Sequence, residues 1–216
     1  MSGALQAVYR NLRSFGEPAP TTIGQAYGGG YYAGQISTAG NGVADFYLVI
    51  GPASTAESNS KKWQTARTNT TGTSSVIDGP TNSNNMNDAS HPAAQFCKAV
   101  TAGSFSDWYM PAKNELEICY YNFKPTTFVN NTASGTNTNA VPSRGSNYTT
   151  TVPAQTSVAL FQSPTGAQKF DTVNFYWSST QYGSGDGNIA NFLNGEQTGY
   201  DKTYSLNVRA VRRVAV

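Results

Sequence analysis

The stretch from Phe175 to Val216 constrains the fold more than any other. It opens on Phe175-Tyr176-Trp177-Ser178-Ser179-Thr180, aromatic and hydroxyl residues that favour strands. A glycine-rich link, Gly183 to Gly187, follows, then Ile189-Ala190-Asn191-Phe192-Leu193, Asn194-Gly195, and Glu196 to Tyr200. Asn-Gly between two short mixed runs predicts a two-residue hairpin turn. From Tyr204 to Ala210, Leu206, Val208 and Ala210 share one strand face and Asn207 and Arg209 the other. Past Ala210 the alternation slips, which predicts a bulge or burial on both faces. Strands so close in sequence form a meander that something must cover, and the rest of the chain is predicted to be that cover.

Residues 1 to 22 read as an arm. Leu5, Val8, Leu12 and Phe15 fit one apolar stripe of a short helix, and Pro18 and Pro20 end it. So short a helix needs a surface, its own domain or a partner subunit, to lie on. From Ile23 a single domain is predicted to run to Val216. Gly28-Gly29-Gly30 lack the spacing and lysine of a phosphate cradle, so they predict a close backbone approach before a strand from Tyr31 to Ile36. Asn41-Gly42 links that strand to another, Ala44 to Ile50, giving a hairpin. Residues 51 to 90 show no sustained period around Trp63. Ser90 is placed to cap a helix whose Ala93, Phe96, Cys97 and Val100 share a face. A second helix carries Leu116, Cys119, Tyr120 and Phe123 on one side and stops at Pro125. Residues 126 to 160 read as an ordered surface excursion.

The charge balance narrows function. Only 12% of residues are charged and the net charge is +2, too little field to recruit nucleic acid or an anionic membrane. The cluster Arg209, Arg212 and Arg213 is predicted to be solvated or structurally paired. No apolar run is long enough to span a bilayer, and Met1 to Leu5 lacks the build of a secretory signal, so a cytosolic origin is expected. Nucleophile-and-base catalysis has little to draw on. His91 is the single histidine and is predicted at the surface, Cys97 and Cys119 are predicted to be core thiols, and the carboxylates are scattered. No set of residues suits a metal or other cofactor. These inventories predict a protein without catalytic activity.

Two stretches carry a family resemblance. Asp107-Trp108-Tyr109-Met110-Pro111-Ala112-Lys113-Asn114-Glu115-Leu116 is one. The other is Tyr176-Trp177-Ser178-Ser179-Thr180, followed by Asn191-Phe192, Asn194-Gly195 and Val208-Arg209-Ala210-Val211-Arg212. Together they resemble the C-terminal domain of collagen-like bacterial adhesins, which is similar to the C-type lectin fold and recurs in bacteriophage virion proteins, tropism-determinant receptor tips among them. The resemblance covers roughly Ile23 to Val216. It implies an α+β, C-type lectin-like domain: a mixed, largely antiparallel sheet, two helices and long irregular loops, with the strands near the two chain ends brought together. Family members often carry Ser where this chain has Ala112, which predicts a lost capping box. The calcium and sugar ligands of true C-type lectins are missing after Trp177, and the cysteine chemistry of the similarly folded sulfatase-maturing oxidases has no counterpart.

The function implied is that of a virion structural protein, a tail fibre or tip component assembled in the host cytoplasm. Its partners would be other virion proteins, further copies of itself, and a host-surface glycan or protein. Leu5, Val8, Leu12 and Phe15 would dock on the particle. With Ala190 and Phe192 pointing to the core, Ile189, Asn191 and Leu193 would point outward and join Gln181, Tyr182, Asp186 and Asn188 in a receptor-binding face. Capsid decoration and a carbohydrate-binding adhesin module are the alternatives.

Overall fold

A computed structural model describes residues 17–216; the stripe Leu5, Val8, Leu12 and Phe15 lies outside them. Among the described residues two five-stranded sheets and four α-helices make an α+β fold. The strands are β1 (Ala26–Tyr27), β2 (Gly30–Ile36), β3 (Phe46–Ile50), β4 (Glu57–Lys62), β5 (Ala140–Val141), β6 (Tyr176–Gln181), β7 (Asp186–Ala190), β8 (Gln197–Asp201), β9 (Ser205–Arg209) and β10 (Val211–Ala215). The helices are α1 (Ala53–Ala56), α2 (Gly79–Asn84), α3 (Pro92–Lys98) and α4 (Lys113–Phe123).

The first sheet runs β1-β2-β3-β10, with β5 also on β2. The hairpin expected from residues 31 to 50 is present, and β10 lies antiparallel on its second strand, pairing Val211 with Ile50 and Ala215 with Phe46. The early hairpin and the last strand therefore meet, through β3 rather than by direct contact of β2 with β10. Gly30 allows the approach, since a Cβ there would stand 2.2 Å from the Ile50 carbonyl oxygen.

The second sheet runs β4-β9-β6-β7-β8, and only β6 and β9 in it are parallel. Ala210 is where the chain leaves this sheet for the other, which explains the slip in alternation. The β7–β8 hairpin closes with Ala190 opposite Gln197. Its loop is therefore longer than the two residues expected of Asn194-Gly195. The Asn191 carboxamide oxygen takes the Leu193 N–H at 2.9 Å and that of Asn194 takes the Glu196 N–H at 3.0 Å, so local side-chain bonds shape a wider turn.

β4 has no counterpart in the expected elements. Glu57-Ser58-Asn59-Ser60-Lys61-Lys62 has no apolar alternation because it is an outer strand held by pairing with β9. The helix α3 starts one residue later than a Ser90 cap would set, with His91 at its N-cap. At α4 the missing cap hydroxyl is replaced from a distance. Thr180 Oγ1 accepts the Lys113 N–H at 2.9 Å, the Val76 carbonyl accepts the Asn114 N–H at 2.8 Å, and Glu115 Oε2 accepts the Ala112 N–H at 2.7 Å. The helix start is secured, contrary to the expectation from Ala112.

Two interiors result. One lies between the first sheet and α4 and includes Leu48, Leu116, Phe123, Phe161, Phe170, Tyr176 and Phe192. The other holds Trp63, Trp108, Trp177, Cys97, Ile189, Leu206 and Val208. The second sheet separates them, so its middle strands are covered on both faces. The described end of the arm lies against the domain: Pro20 is buried, and Glu17 Oε2 accepts the Gly28 N–H at 2.8 Å.

Candidate receptor-binding face

The turn joining β6 to β7 is where the exposed candidate residues collect. Tyr182 is 63% exposed. Its ring lies on Gly199 of β8, where a Cβ would come within 2.3 Å of it. A glycine across the sheet thus lets the phenol lie flat while one face stays open to water. Asp186 and Asp201 sit directly opposite each other on β7 and β8, and two like charges so placed repel. Arg67 relieves this, with Nη2 3.3 Å from Asp186 and Nε 3.4 Å from Asp201. Bonds from Thr203, together with Arg67, hold the Asp201 carboxyl below its ordinary range.

Beneath the turn lies Lys202, fully buried. Its ammonium donates to the Thr68 carbonyl at 2.7 Å, to Gln181 Oε1 at 2.6 Å and to the Ser184 carbonyl at 2.9 Å, and stands 4.4 Å from the centroid of Trp63. All three ammonium donors are satisfied, as burial demands. Burial nevertheless lowers its pKa to about 8. Through this one group, the segment after Trp63, the β6–β7 turn and the β8–β9 turn are tied together.

Not every expected residue belongs to this face. Tyr182 and Asp186 do. The Gln181 side chain is consumed in the scaffold: its Oε1 accepts from Thr70 N at 2.8 Å and from Lys202, and its Nε2 donates to Asn69 at 2.8 Å. Asn188 and Ile189 are 5% and 1% exposed, a correction to their outward placement. The alternation argument assumed one solvated face, whereas Ala190 points into one interior and Ile189 into the other. Asn191 and Leu193 are half-buried in the β7–β8 turn, at the far end of β7 from Tyr182. Arg67, Lys202 and Asp201 were missed. Arg67 lies in a segment without periodicity, and an isolated Asp at a strand end or Lys in the turn after it carries no signal of its own.

The two cysteines, the histidine and the clustered arginines are built into the fold. Cys97 and Cys119 are free and fully buried, and burial pushes both thiols well above their ordinary range. His91 is not at the surface; it is 4% exposed and packs edge-on to Trp63. Its Nδ1 lies 2.8 Å from Asp88 and its Nε2 3.0 Å from Thr70 Oγ1. Hydroxyl, imidazole and carboxylate in series resemble a nucleophile triad, but Thr70 is itself buried, so the chain acts as a strut between its loop and α3. The three clustered arginines are structurally paired. Arg209 meets Glu57 at 3.3 Å, Arg212 meets Asp107 at 2.7 Å and Arg213 meets Glu115 at 2.8 Å. Asn130, at the start of an Asn-Asn-Thr run that matches a glycan-acceptor pattern, is buried and bonded to Tyr120 and Lys124. Among the described residues no group of three potential metal ligands converges, and no helix is long and apolar enough to cross a membrane.

The fold and face define an α+β protein of two sheets with an aromatic and charged turn at one end. No protein-family model matches the chain, and no curated protein matches it. Among solved structures it is similar to a fimbrial protein from Bacteroides ovatus ATCC 8483, at 16% identity and a TM-score of 0.43, over 76% of this chain and 35% of that one. The chain thus spans about a third of the length of that protein, and a likeness of this degree fixes neither a family nor an activity.

Proposed function

We propose that this protein is a non-enzymatic component of a bacteriophage virion, a tail fibre or tip protein whose C-type lectin-like domain binds a host-surface receptor. The observation that carries the reading is Tyr182: a large amphipathic ring, 63% exposed, on a turn held from below by a buried ammonium. A rigid exposed tyrosine gives contact area at little entropic cost, which is what a binding face needs. Arg67, Asp186 and Asp201 around it offer donors and acceptors in fixed positions. The motif resemblance supports the lectin-like and virion parts of the reading, and the two motifs join in space through Arg212 with Asp107 and Arg213 with Glu115. Residues 1 to 22 would attach the domain to other virion proteins, in a homo-oligomer.

Particles carrying Tyr182→Ala together with Arg67→Ala test this. Normal assembly with adsorption to host cells reduced at least about tenfold, as loss of an interface anchor predicts, is the expected result. Unchanged adsorption would remove the assigned face. Incorporation into heads in proportion to coat protein would replace the tail reading with capsid decoration.

A further inference from the structure

Lys124, at the C-cap of α4, is 2% exposed, and Asn130, in the loop that follows, is 5% exposed. Lys124 Nζ donates to Asn130 Oδ1 at 2.7 Å, to the Phe128 carbonyl at 2.5 Å and to the Pro153 carbonyl at 3.2 Å. All three acceptors are neutral oxygens. A covered amine with no carboxylate among its partners gains little from being charged, and burial lowers its pKa. In its neutral form it is a nucleophile held against a carboxamide.

The carboxamide is fixed from its other sides. Tyr120 Oη donates to the same Oδ1 at 2.6 Å. Burial, with Glu117 adding to it, pushes this phenol well above its ordinary range, so it remains a donor. Negative charge developing on Oδ1 therefore meets a fixed O–H, the arrangement of an oxyanion hole. Asn130 Nδ2 donates to the Thr149 carbonyl at 3.0 Å and to the Pro153 carbonyl at 2.9 Å, which sets the plane of the amide. With both side chains covered, water competes poorly for the same carbon. Lys202 also touches a carboxamide, that of Gln181, but there the oxygen takes the Thr70 N–H in place of a phenol and the residue is only half-buried.

We propose that Lys124 and Asn130 join in an intramolecular isopeptide bond, formed by the folded chain itself with Tyr120 as oxyanion donor. Lys124 first gives one proton to water. Nζ then adds to Cγ of Asn130, charge gathers on Oδ1 under the Tyr120 hydroxyl, the proton shed by Nζ passes to Nδ2, and the Cγ–Nδ2 bond breaks. One ammonia leaves, with no oxidation or reduction and no other reactant consumed. The bond closes a covalent loop from the end of α4 to Asn130 and pins the exposed Phe128 and Val129 between its ends. It is a single event on the protein's own side chains and does not depend on the Tyr182 face.

The full chain is purified folded, held at mildly alkaline pH, weighed by mass spectrometry, then digested with trypsin and fragmented. Expected is a chain one ammonia lighter than its sequence, with the loss inside residues 114–144 and no fragment that separates residue 124 from residue 130. Lys124→Arg and Asn130→Ala should keep their full mass, and Tyr120→Phe should cross-link at least about tenfold more slowly. The parent chain decides the bond even where a variant fails to fold. A parent of full mass, a cross-link between Lys202 and Gln181 in its place, or an ammonia loss that persists in Lys124→Arg, the mark of Asn130 cyclising on its own backbone, would overturn the proposal. An unchanged rate in folded Tyr120→Phe would overturn it as well.

Discussion

Arg212 grips Asp107 through two bonds, Nε to Oδ1 at 2.7 Å and Nη2 to Oδ2 at 2.9 Å, across 105 positions of sequence. The same guanidinium stacks 3.8 Å from the centroid of Phe105 and donates to the Gly28 carbonyl at 3.0 Å. One side chain thereby joins the last strand, the segment before α4 and the glycine run. The partners differ in exposure, 9% for the arginine and 53% for the aspartate. Asp107→Ala strands a nearly buried cation and should cost ~3 kcal/mol, whereas Arg212→Met leaves a carboxylate that water can reach and should cost less, ~2 kcal/mol. Urea unfolding of both variants checks the order.

The start of α4 depends on a residue 67 positions away, Thr180, in place of a local cap. Thr180→Val should cost ~1 kcal/mol, the usual worth of a cap hydroxyl. Ala112→Ser, which restores a local cap residue, should gain at most a few tenths because the Lys113 and Asn114 N–H groups are already bonded. Comparison of thermal midpoints separates the two outcomes.

Lys202 gives a pH signature with a definite sign. Its folded pKa is down to about 8, below the unfolded value of ~10.4. Between these values the unfolded chain binds more protons, so this group adds stability as pH rises from about 8 towards 10, and its burial is least favourable below 8. The slope of stability against pH over that window should be smaller in Lys202→Met than in the parent. Amide exchange at residues 64–70 and 182–185 should also quicken in that variant, because Thr68 and Ser184 lose their shared donor.

The acidic side sorts by environment. Burial raises Glu57 and Glu115 above the ordinary carboxylate range, so what they contribute is fully present at low pH and lost as pH climbs through their folded values. Hydrogen bonds lower Asp45 and Asp88, whose contribution is lost as pH falls below ~4. Glu57→Gln takes from the buried Arg209 its carboxylate and should lower stability, by less at pH 7 than at pH 4, as read by urea midpoints at the two values.

Cys97 and Cys119 should resist a thiol reagent in the native protein and both react after denaturation. Reaction of either under native conditions would contradict their burial.

Local patterns made much of this fold legible. The hairpin from Tyr31 to Ile50, the two amphipathic helices with Leu116 and Phe123 inward and the strands near the C-terminus all follow from periodicity and turn residues. Those forces act over a few residues, so a sequence displays them. What tertiary structure alone decided is whatever depends on a distant neighbour. β4 is a strand because β9 pairs with it, Ile189 is covered because its sheet has an interior on each side, His91 is buried by Trp63 and Thr70, and Thr180 caps a helix it never adjoins in the chain. The candidate face had the same origin. Tyr182 and Asp186 could be named beforehand, but Arg67 reached them only when a segment without pattern folded over the sheet and Lys202 only when the turn after β8 packed beneath the β6–β7 turn, and long-range burial and hydrogen bonding leave no period for a sequence to show.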